Sequence, residues 1–210
     1  MTPPTPLFPT IPPTRRLLSK LALMSLLGGL AACGSSQPPR TGGGMAMGPS
    51  RRVPGISCAP FARELSGIAL YGDADTWWGN AAGRYQRGGD PVLGGVLVFR
   101  RTSRLRSGHV SVVTGVVGER QILVTQANWV PAYLDEDQLV VDVSPGNDWS
   151  RVRVWYPPVS QLGIHVYATH GFIHPPRPAS PAELARAVPA AARYALDTTG
   201  RPPPRARYGG

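Results

Sequence analysis

The chain has 210 residues, two cysteines and a formal net charge of +10, so it accommodates one ordinary domain with flanking segments. The positive surplus lies in the flanks, because residues 54–176 contain ten Arg and ten Asp or Glu residues. A neutral domain between basic flanks suits contact with an anionic surface better than readout of bases, which argues against a nucleic-acid partner.

The first element of the chain is predicted to be an export signal. The basic segment "TRRLLSK" precedes an apolar run over residues 21–30, about half the length of a membrane-spanning helix. The following "LAAC" ends at Cys33 and resembles the lipobox of bacterial lipoproteins. This resemblance implies cleavage before Cys33 and a diacyl anchor on its thiol, which suffices for stable membrane attachment. Since Gly34 replaces the Asp typical of inner-membrane lipoproteins, it also implies a position at the outer membrane facing the periplasm.

Composition divides the chain into four segments. Residues 1–33 are predicted to be the signal peptide, 34–53 a Gly/Pro/Ser-rich tether, 54–176 the folded domain, and 177–210 a Pro/Arg-rich, largely disordered tail. Most aromatic and β-branched residues lie in the third segment, which is therefore the one able to build a core. Within the tail an amphipathic helix is conceivable, but Pro189 is expected to interrupt it.

Helix signals come first in the folded domain, and strand signals follow. The spacing of Phe61, Leu65 and Ile68 predicts a helix from about Ala59 to Leu70, and "DADTWWGNAAGRY" predicts a short second one. Five segments rich in Val, Ile and aromatic residues predict strands: "GGVLVFRR", "GHVSVVTGVV", "RQILVTQANW", "QLVVDVS" and "SRVRVWYP". This order predicts an α+β fold in which N-terminal helices pack on an antiparallel β-sheet.

Cys58 stands at the start of the first predicted helix, and three explanations compete for it. It is a buried apolar side chain, half of a disulfide, or a nucleophile. If Cys33 is acylated, as the lipobox resemblance implies, Cys58 has no partner in the chain and the disulfide explanation drops out. A helix start lowers the pKa of a thiol, so a nucleophilic Cys58 is expected to alkylate quickly near about pH 6.

A hairpin predicted over "GHVSVVTGVVGERQILVTQANW" brings several polar residues together. If its turn centres between residues 118 and 119, His109 lies opposite Asn128 and Ser111 opposite Gln126, on one face of the sheet. A shift of the strand register by one residue would turn the side chains of one strand to the opposite face of the sheet. A Cys at a helix start, a His at a strand start and a carboxamide on the next strand are the parts of a papain-type site.

The order and spacing of these segments resemble the CHAP domain (cysteine, histidine-dependent amidohydrolase/peptidase), a papain-like family in which many members cut peptidoglycan. The resemblance implies that residues 54–176 are a CHAP catalytic domain of papain-like fold. It also implies that Cys58 is the nucleophile, His109 the general base and acid, and Asn128 the residue that orients His109. Gln126 stands where many members carry an acidic residue and is considered a possible support for His109. The matching segments are "SCAPFAREL", "DTWWGNAA", "PVLGGVLVF", "SGHVSVV" and "TQANW".

The two resemblances together imply a membrane-anchored cysteine hydrolase that cleaves an amide bond of peptidoglycan, in the stem peptide or at the sugar–peptide junction. Two alternatives stay open: a catalytically silent CHAP domain that binds or scaffolds the cell wall, and action on a small amide, which fits poorly with a lipid anchor. No cofactor is expected. His165, His170 and His174 have no neighbouring Cys or carboxylate in the sequence, so no metal site is predicted. The sequence leaves the oligomeric state open.

Overall fold

The computed structural model of the protein describes residues 47–197. The proposed lipidation site Cys33 and the predicted signal peptide lie outside these residues. The helices are α1 Cys58–Ser66, α2 Trp77–Asn80 and α3 Pro181–Asp197, with short 3₁₀ segments at Ala74–Thr76 and Pro157–Val159. The strands are β1 Ser50–Arg52, β2 Arg87–Gly88, β3 Val96–Phe99, β4 His109–Gly118, β5 Gln121–Ala127, β6 Tyr133–Asp142, β7 Arg151–Tyr156, β8 Gln161–Leu162 and β9 Tyr167–Ile173. Within the described range, no helix combines the length and apolar character needed to cross a membrane.

Six of the strands close into an antiparallel barrel in the order β6-β5-β4-β3-β9-β7, with β7 pairing back to β6. Strand β6 is central to this closure. Its whole length pairs with β5, and its other edge is shared between β1 at its start and β7 at its end. The short strands β1, β2 and β8 add to β6, β9 and β7 respectively.

The predicted α+β fold with N-terminal helices packed on a β-sheet is therefore wrong, because the protein is a mostly-strand closed barrel with three helices. Five of the six barrel strands overlap predicted strand segments, whereas β9 and the closure of the barrel were not predicted. Irregular registers interrupt the β3–β9, β4–β5 and β5–β6 pairings, and such bulges bend and twist strands in the way that barrel closure requires. Bulges are set by pairing between distant segments and leave no mark on the periodicity of one segment.

Side chains alternate across the barrel wall and build two apolar cores. One core fills the barrel with Trp149, from the segment before β7, and with residues from all six barrel strands: Leu97, Phe99, Val113, Ile122, Val124, Val140, Val152, Val154 and Phe172. The other lies between the outside of the wall and the helices, where Val110 and Val112 of β4 meet Phe61 and Leu65 of α1. This second core holds the start of α1 against the start of β4, which positions the candidate site.

Helix α1 begins at Cys58 and ends earlier than the predicted Leu70. Ser57 has extended backbone angles, with φ −125° and ψ 142°, and therefore starts the helix. Gly67 adopts a left-handed conformation with φ 71°, and its N–H bonds the carbonyl of Arg63. A left-handed glycine is the commonest way to end a helix, so the apolar spacing that runs on to Ile68 does not extend it.

Helix α3 corrects the prediction of a largely disordered tail over the residues that it covers. Ser180 and Glu183 form a reciprocal cap in which each side chain bonds the backbone N–H of the other. Pro189 lies inside the helix without ending it. A mid-helix proline costs about 3 kcal/mol, and burial of the apolar face of α3 offsets this cost. That face comprises Leu184, Val188, Ala191, Ala192 and Ala195, all in the core shared with α1.

Candidate active site

Cys58 is partly buried at the first position of α1. Burial raises the pKa of its thiol, and the carboxylate of Asp73 acts in the same direction. The backbone N–H groups of Val110 and Ala59 bond the sulphur and oppose this effect without overcoming it. The expected lowering of the pKa by the helix start is thus outweighed. The resting thiol is protonated, and it needs a base before it can act as a nucleophile.

His109, the first residue of β4, is 3% exposed. Its ring lies edge-on to Phe99 and Trp129, with centroid separations of 5.5 Å and 5.0 Å. Burial lowers the pKa of His109 to about 4, and a hydrogen bond with Gln126 opposes that shift in part. At neutral pH the imidazole is therefore uncharged, so it can accept a proton.

Gln126 contacts the ring of His109 directly, whereas the sequence suggested only a supporting role for it. Its Oε1 lies 3.1 Å from Nε2 of His109 and accepts a hydrogen bond of 2.6 Å from the hydroxyl of Ser111. An amide oxygen can only accept, so Nε2 of His109 carries the ring proton and Nδ1 keeps its lone pair. Nδ1 is then the ring atom available to take the thiol proton. The bond from the Val110 N–H to the sulphur places Cys58 beside this end of β4.

Asn128 lies on the wall of the same cavity but makes a different contact. It follows β5 with a left-handed φ of 61°, and its Oδ1 accepts a 2.9 Å hydrogen bond from the N–H of Ala132. Its side chain is exposed and closes a turn. Over residues 47–197 the side chain that accepts a hydrogen bond from the His109 ring is Gln126, so the contact that the resemblance assigned to Asn128 is made by a residue two positions earlier.

The predicted register of the hairpin is confirmed at the end that carries these residues. Val112 pairs with Thr125 and Val113 with Val124. Closer to the turn, bulges shift the pairing, so that Gly115 stands opposite Leu123. The hydrogen bond between Ser111 and Gln126 shows that the predicted facing pair is formed. Asn128 escapes the pattern because it lies beyond the last residue of β5, where the backbone turns.

A cavity of about 590 Å³ opens over these residues. Cys58, His109 and Asn128 line it, and the loop before β4 contributes Arg104 and Arg106, whose side chains are exposed. The first backbone bond of α1 runs from Phe61 to Ser57, so the N–H groups at the helix start are not used by the helix. The cavity therefore combines a thiol, a base, the backbone N–H of Cys58 at the helix start and a basic rim.

The histidines weighed for a metal site take up separate structural positions. His170 stacks on Trp78 with a centroid distance of 5.6 Å, and Nε2 of His174 lies 3.1 Å from the carbonyl oxygen of Asp90. His165 meets the edge of Tyr167. Among the described residues no group of His, Cys, Asp and Glu is arranged to hold a metal ion.

Sequence reasoning assigned no role to Trp129, whose ring packs edge-on against the ring of His109. Its place directly after Asn128 in "TQANW" was the available signal.

Residues 48–128 match the family model of the CHAP domain, which confirms the resemblance. The match includes Cys58, His109 and Gln126 and ends at Asn128. No curated protein matches the chain. The likeness to the CHAP domain therefore extends over residues 48–128 of this chain.

Proposed function

We propose that this chain is a cysteine hydrolase that cleaves an amide bond of peptidoglycan, with Cys58 as nucleophile and His109 as base. A CHAP domain indicates hydrolysis of the amidase or peptidase type on that polymer. The observation that carries the assignment is the hydrogen bond from Nε2 of His109 to Oε1 of Gln126, because it leaves Nδ1 free as a base beside a protonated thiol. The basic rim formed by Arg104 and Arg106 suits the carboxylates of a peptidoglycan stem peptide.

The reaction begins when Nδ1 of His109 takes the proton from the thiol and the sulphur attacks the carbonyl carbon of the amide. The carbonyl oxygen becomes an oxyanion, which the backbone N–H of Cys58 at the start of α1 stabilises. His109 then gives the proton to the amide nitrogen as the C–N bond breaks, and the amine leaves. Water, deprotonated by His109, attacks the resulting thioester and releases the carboxylate and the thiol.

The function is tested by digestion of purified peptidoglycan with a chain that begins at residue 34 and by mass analysis of the fragments. This start is chosen because β1 pairs with β6, so a chain that begins at 54 would lack part of the sheet. The expected result is a set of fragments with new amine and carboxylate ends, whose masses identify the bond cut. Unaltered polymer after incubation with folded protein would remove the hydrolase assignment.

A catalytically silent wall-binding domain is the second candidate, and the neutral Gln126 together with the raised pKa of Cys58 favours it. Rapid alkylation of Cys58 near about pH 6 is no longer expected from either candidate, because the thiol is protonated there. Product formation therefore separates the two candidates. A silent domain would bind peptidoglycan in sedimentation assays and release no fragments.

The contacts of the two carboxamides predict unequal effects of their removal. Gln126→Ala should lower kcat by about 10- to 100-fold, because it removes the acceptor that sets the tautomer of His109. Asn128→Ala removes the cap of an exposed turn and should change kcat by less than about threefold, with a loss of stability of about 1 kcal/mol. Steady-state kinetics and thermal unfolding of both variants measure this difference. A larger kcat effect at Asn128 would return the orienting role to that residue.

We also propose that the mature chain is anchored through a diacylated Cys33 to the outer membrane, facing the periplasm. The proposal rests on the lipobox resemblance of "LAAC" and on the basic and apolar segments before it.

Cys33→Ala should leave the precursor without lipid, so that the protein moves from the detergent phase to the aqueous phase on partitioning. Its hydrolytic kcat should be unchanged, because the catalytic groups all lie within residues 58–126. Mass spectrometry of the mature N-terminus provides the direct measurement. An unmodified Cys33 in the parent protein would contradict the anchor and leave the hydrolase proposal intact.

A further inference from the structure

A row of polar side chains crosses four neighbouring strands behind the candidate base. Ser111 of β4 donates to Gln126 of β5, Gln126 pairs directly with Asp135 of β6, and Asp135 pairs directly with Ser50 of β1. Directly paired residues project to the same face of a sheet, so these four side chains form one continuous row. Ser111, Gln126 and Asp135 are each 0% exposed, and Ser50 lies at the edge.

Two atoms in this row are buried and lack a hydrogen-bond partner within residues 47–197. They are the amide nitrogen Nε2 of Gln126 and the carboxylate oxygen Oδ2 of Asp135. One is a donor and the other an acceptor, and they belong to residues that face each other across the β5–β6 ladder. Buried polar atoms are rarely left unpaired in folded proteins. Rotation of the amide or one bridging water would join these two.

Asp135 is held in place from its other side. Its Oδ1 accepts a hydrogen bond of 2.5 Å from the hydroxyl of Ser50. Burial raises the pKa of this carboxyl, and hydrogen bonds from Ser50 and from the backbone N–H of Val130 oppose that shift. In the described part of the chain no Arg, Lys or His forms an ion pair with Asp135, whereas the buried Asp142 at the opposite end of β6 is paired with Arg120. The carboxyl group of Asp135 therefore interacts with its neighbours in the polar row and with the backbone N–H of Val130 rather than with a cation.

We propose that Asp135 is a positioning residue that holds the amide of Gln126 with Oε1 toward His109, and that it supplies from β6 the negative charge that position 126 lacks. Asp135 accepts from the amide nitrogen, which prevents the amide from turning over. A reversed amide would present a donor to Nε2 of His109, move the ring proton to Nδ1 and remove the base. The carboxylate also stabilises the imidazolium that His109 becomes during catalysis, with the side chain of Gln126 between the two groups.

The inference rests on the proposed function for its kinetic test. Asp135→Asn should lower kcat by about 10- to 100-fold with KM within about twofold of the parent, because it removes the carboxylate that stabilises the imidazolium and leaves a neutral amide that holds Gln126 less firmly. Asp142→Asn is the matched control, since Asp142 is a buried carboxylate on the same strand away from His109. It should lower the unfolding temperature and leave kcat within about twofold of the parent. Equal kcat in folded Asp135→Asn and parent would overturn the proposal.

Exchange of the two groups separates positioning from a merely structural role. In the double variant Gln126→Glu/Asp135→Asn, the carboxylate at position 126 contacts the ring of His109. The new amide at position 135 can donate to this carboxylate and accept from the hydroxyl of Ser50. Its kcat should return to within about threefold of the parent. Gln126→Glu alone places two buried carboxyl groups opposite each other, and they should share a proton and give no gain. A folded double variant as slow as Asp135→Asn would contradict the assignment, and the double variant carries the test if Asp135→Asn does not fold.

A readout without substrate distinguishes failure of this inference from failure of the proposed function. Nitrogen-15 spectra of the His109 ring should show the proton on Nε2 in the parent and a shift of population toward Nδ1 in Asp135→Asn. If the parent releases no peptidoglycan fragments, the hydrolase proposal fails while the spectra still decide the role of Asp135. An unchanged tautomer in folded Asp135→Asn would refute that role.

Discussion

Replacement of Cys58 by Ala is expected to abolish the release of peptidoglycan fragments, with a fall in kcat of about 10⁴-fold or more. In the proposed mechanism the sulphur forms the covalent bond to the substrate carbonyl, and among residues 47–197 Cys58 is the free cysteine. Water in the same cavity is a poor substitute, because it is a weaker nucleophile than a cysteine sulphur and forms no covalent intermediate with the enzyme. Residual turnover therefore reflects only binding and the oxyanion site.

The substitution should leave the fold intact, because it removes one partly buried sulphur and keeps the start of α1. Circular dichroism and thermal unfolding check this, with a loss of stability of about 1 kcal/mol expected. Cys33→Ala is the matched thiol control and should retain full activity on soluble fragments. Fragment release by folded Cys58→Ala at a rate near that of the parent would end the cysteine-hydrolase assignment.

Replacement of His109 by Ala is expected to lower kcat by about 10³-fold or more, because the protonated thiol of Cys58 would have no base. Since burial lowers the pKa of His109 to about 4, the acid limb of kcat/KM in the parent should lie near that value and be absent from the residual activity of the variant. His165→Ala, at an exposed position between β8 and β9, is the control and should leave kcat unchanged. A parent-like kcat in folded His109→Ala would contradict its role as the base.

The same histidine should make the fold sensitive to acid. Its pKa is about 4 in the folded protein and 6.5 as the ordinary value, so the unfolded chain binds a proton first as the pH falls. The stability contributed by the neutral ring is fully present above about pH 6.5 and is lost as the pH falls toward about 4, by roughly 3 kcal/mol in total. Urea unfolding at several pH values should show this loss in the parent. A slope of the same size in His109→Ala would assign the loss to other groups.

The sequence by itself determined those features of this protein that depend on near neighbours. Cys58 follows an extended Ser57 and precedes apolar residues at helical spacing, so the helix start was readable. The pairing of Val112 with Thr125 was predictable because a short hairpin leaves few registers that keep one apolar face buried. These local features, in their order, also carried the CHAP resemblance that the match over residues 48–128 confirms.

Only the tertiary structure decided the features that depend on distant segments. Closure of the barrel requires β7 to meet both β6 and β9, and the helix containing Pro189 forms because α1 buries its apolar face. The pKa values of Cys58 and His109 depend on burial. Burial is determined by the way helices and strands pack around the site, and the local sequence does not specify that packing. The choice of Gln126 over Asn128 follows from the point where β5 ends, and Asp135 joins the site through the β5–β6 register. Local patterns determine which residues face one another in a hairpin, whereas desolvation and long-range pairing determine their protonation and their partners.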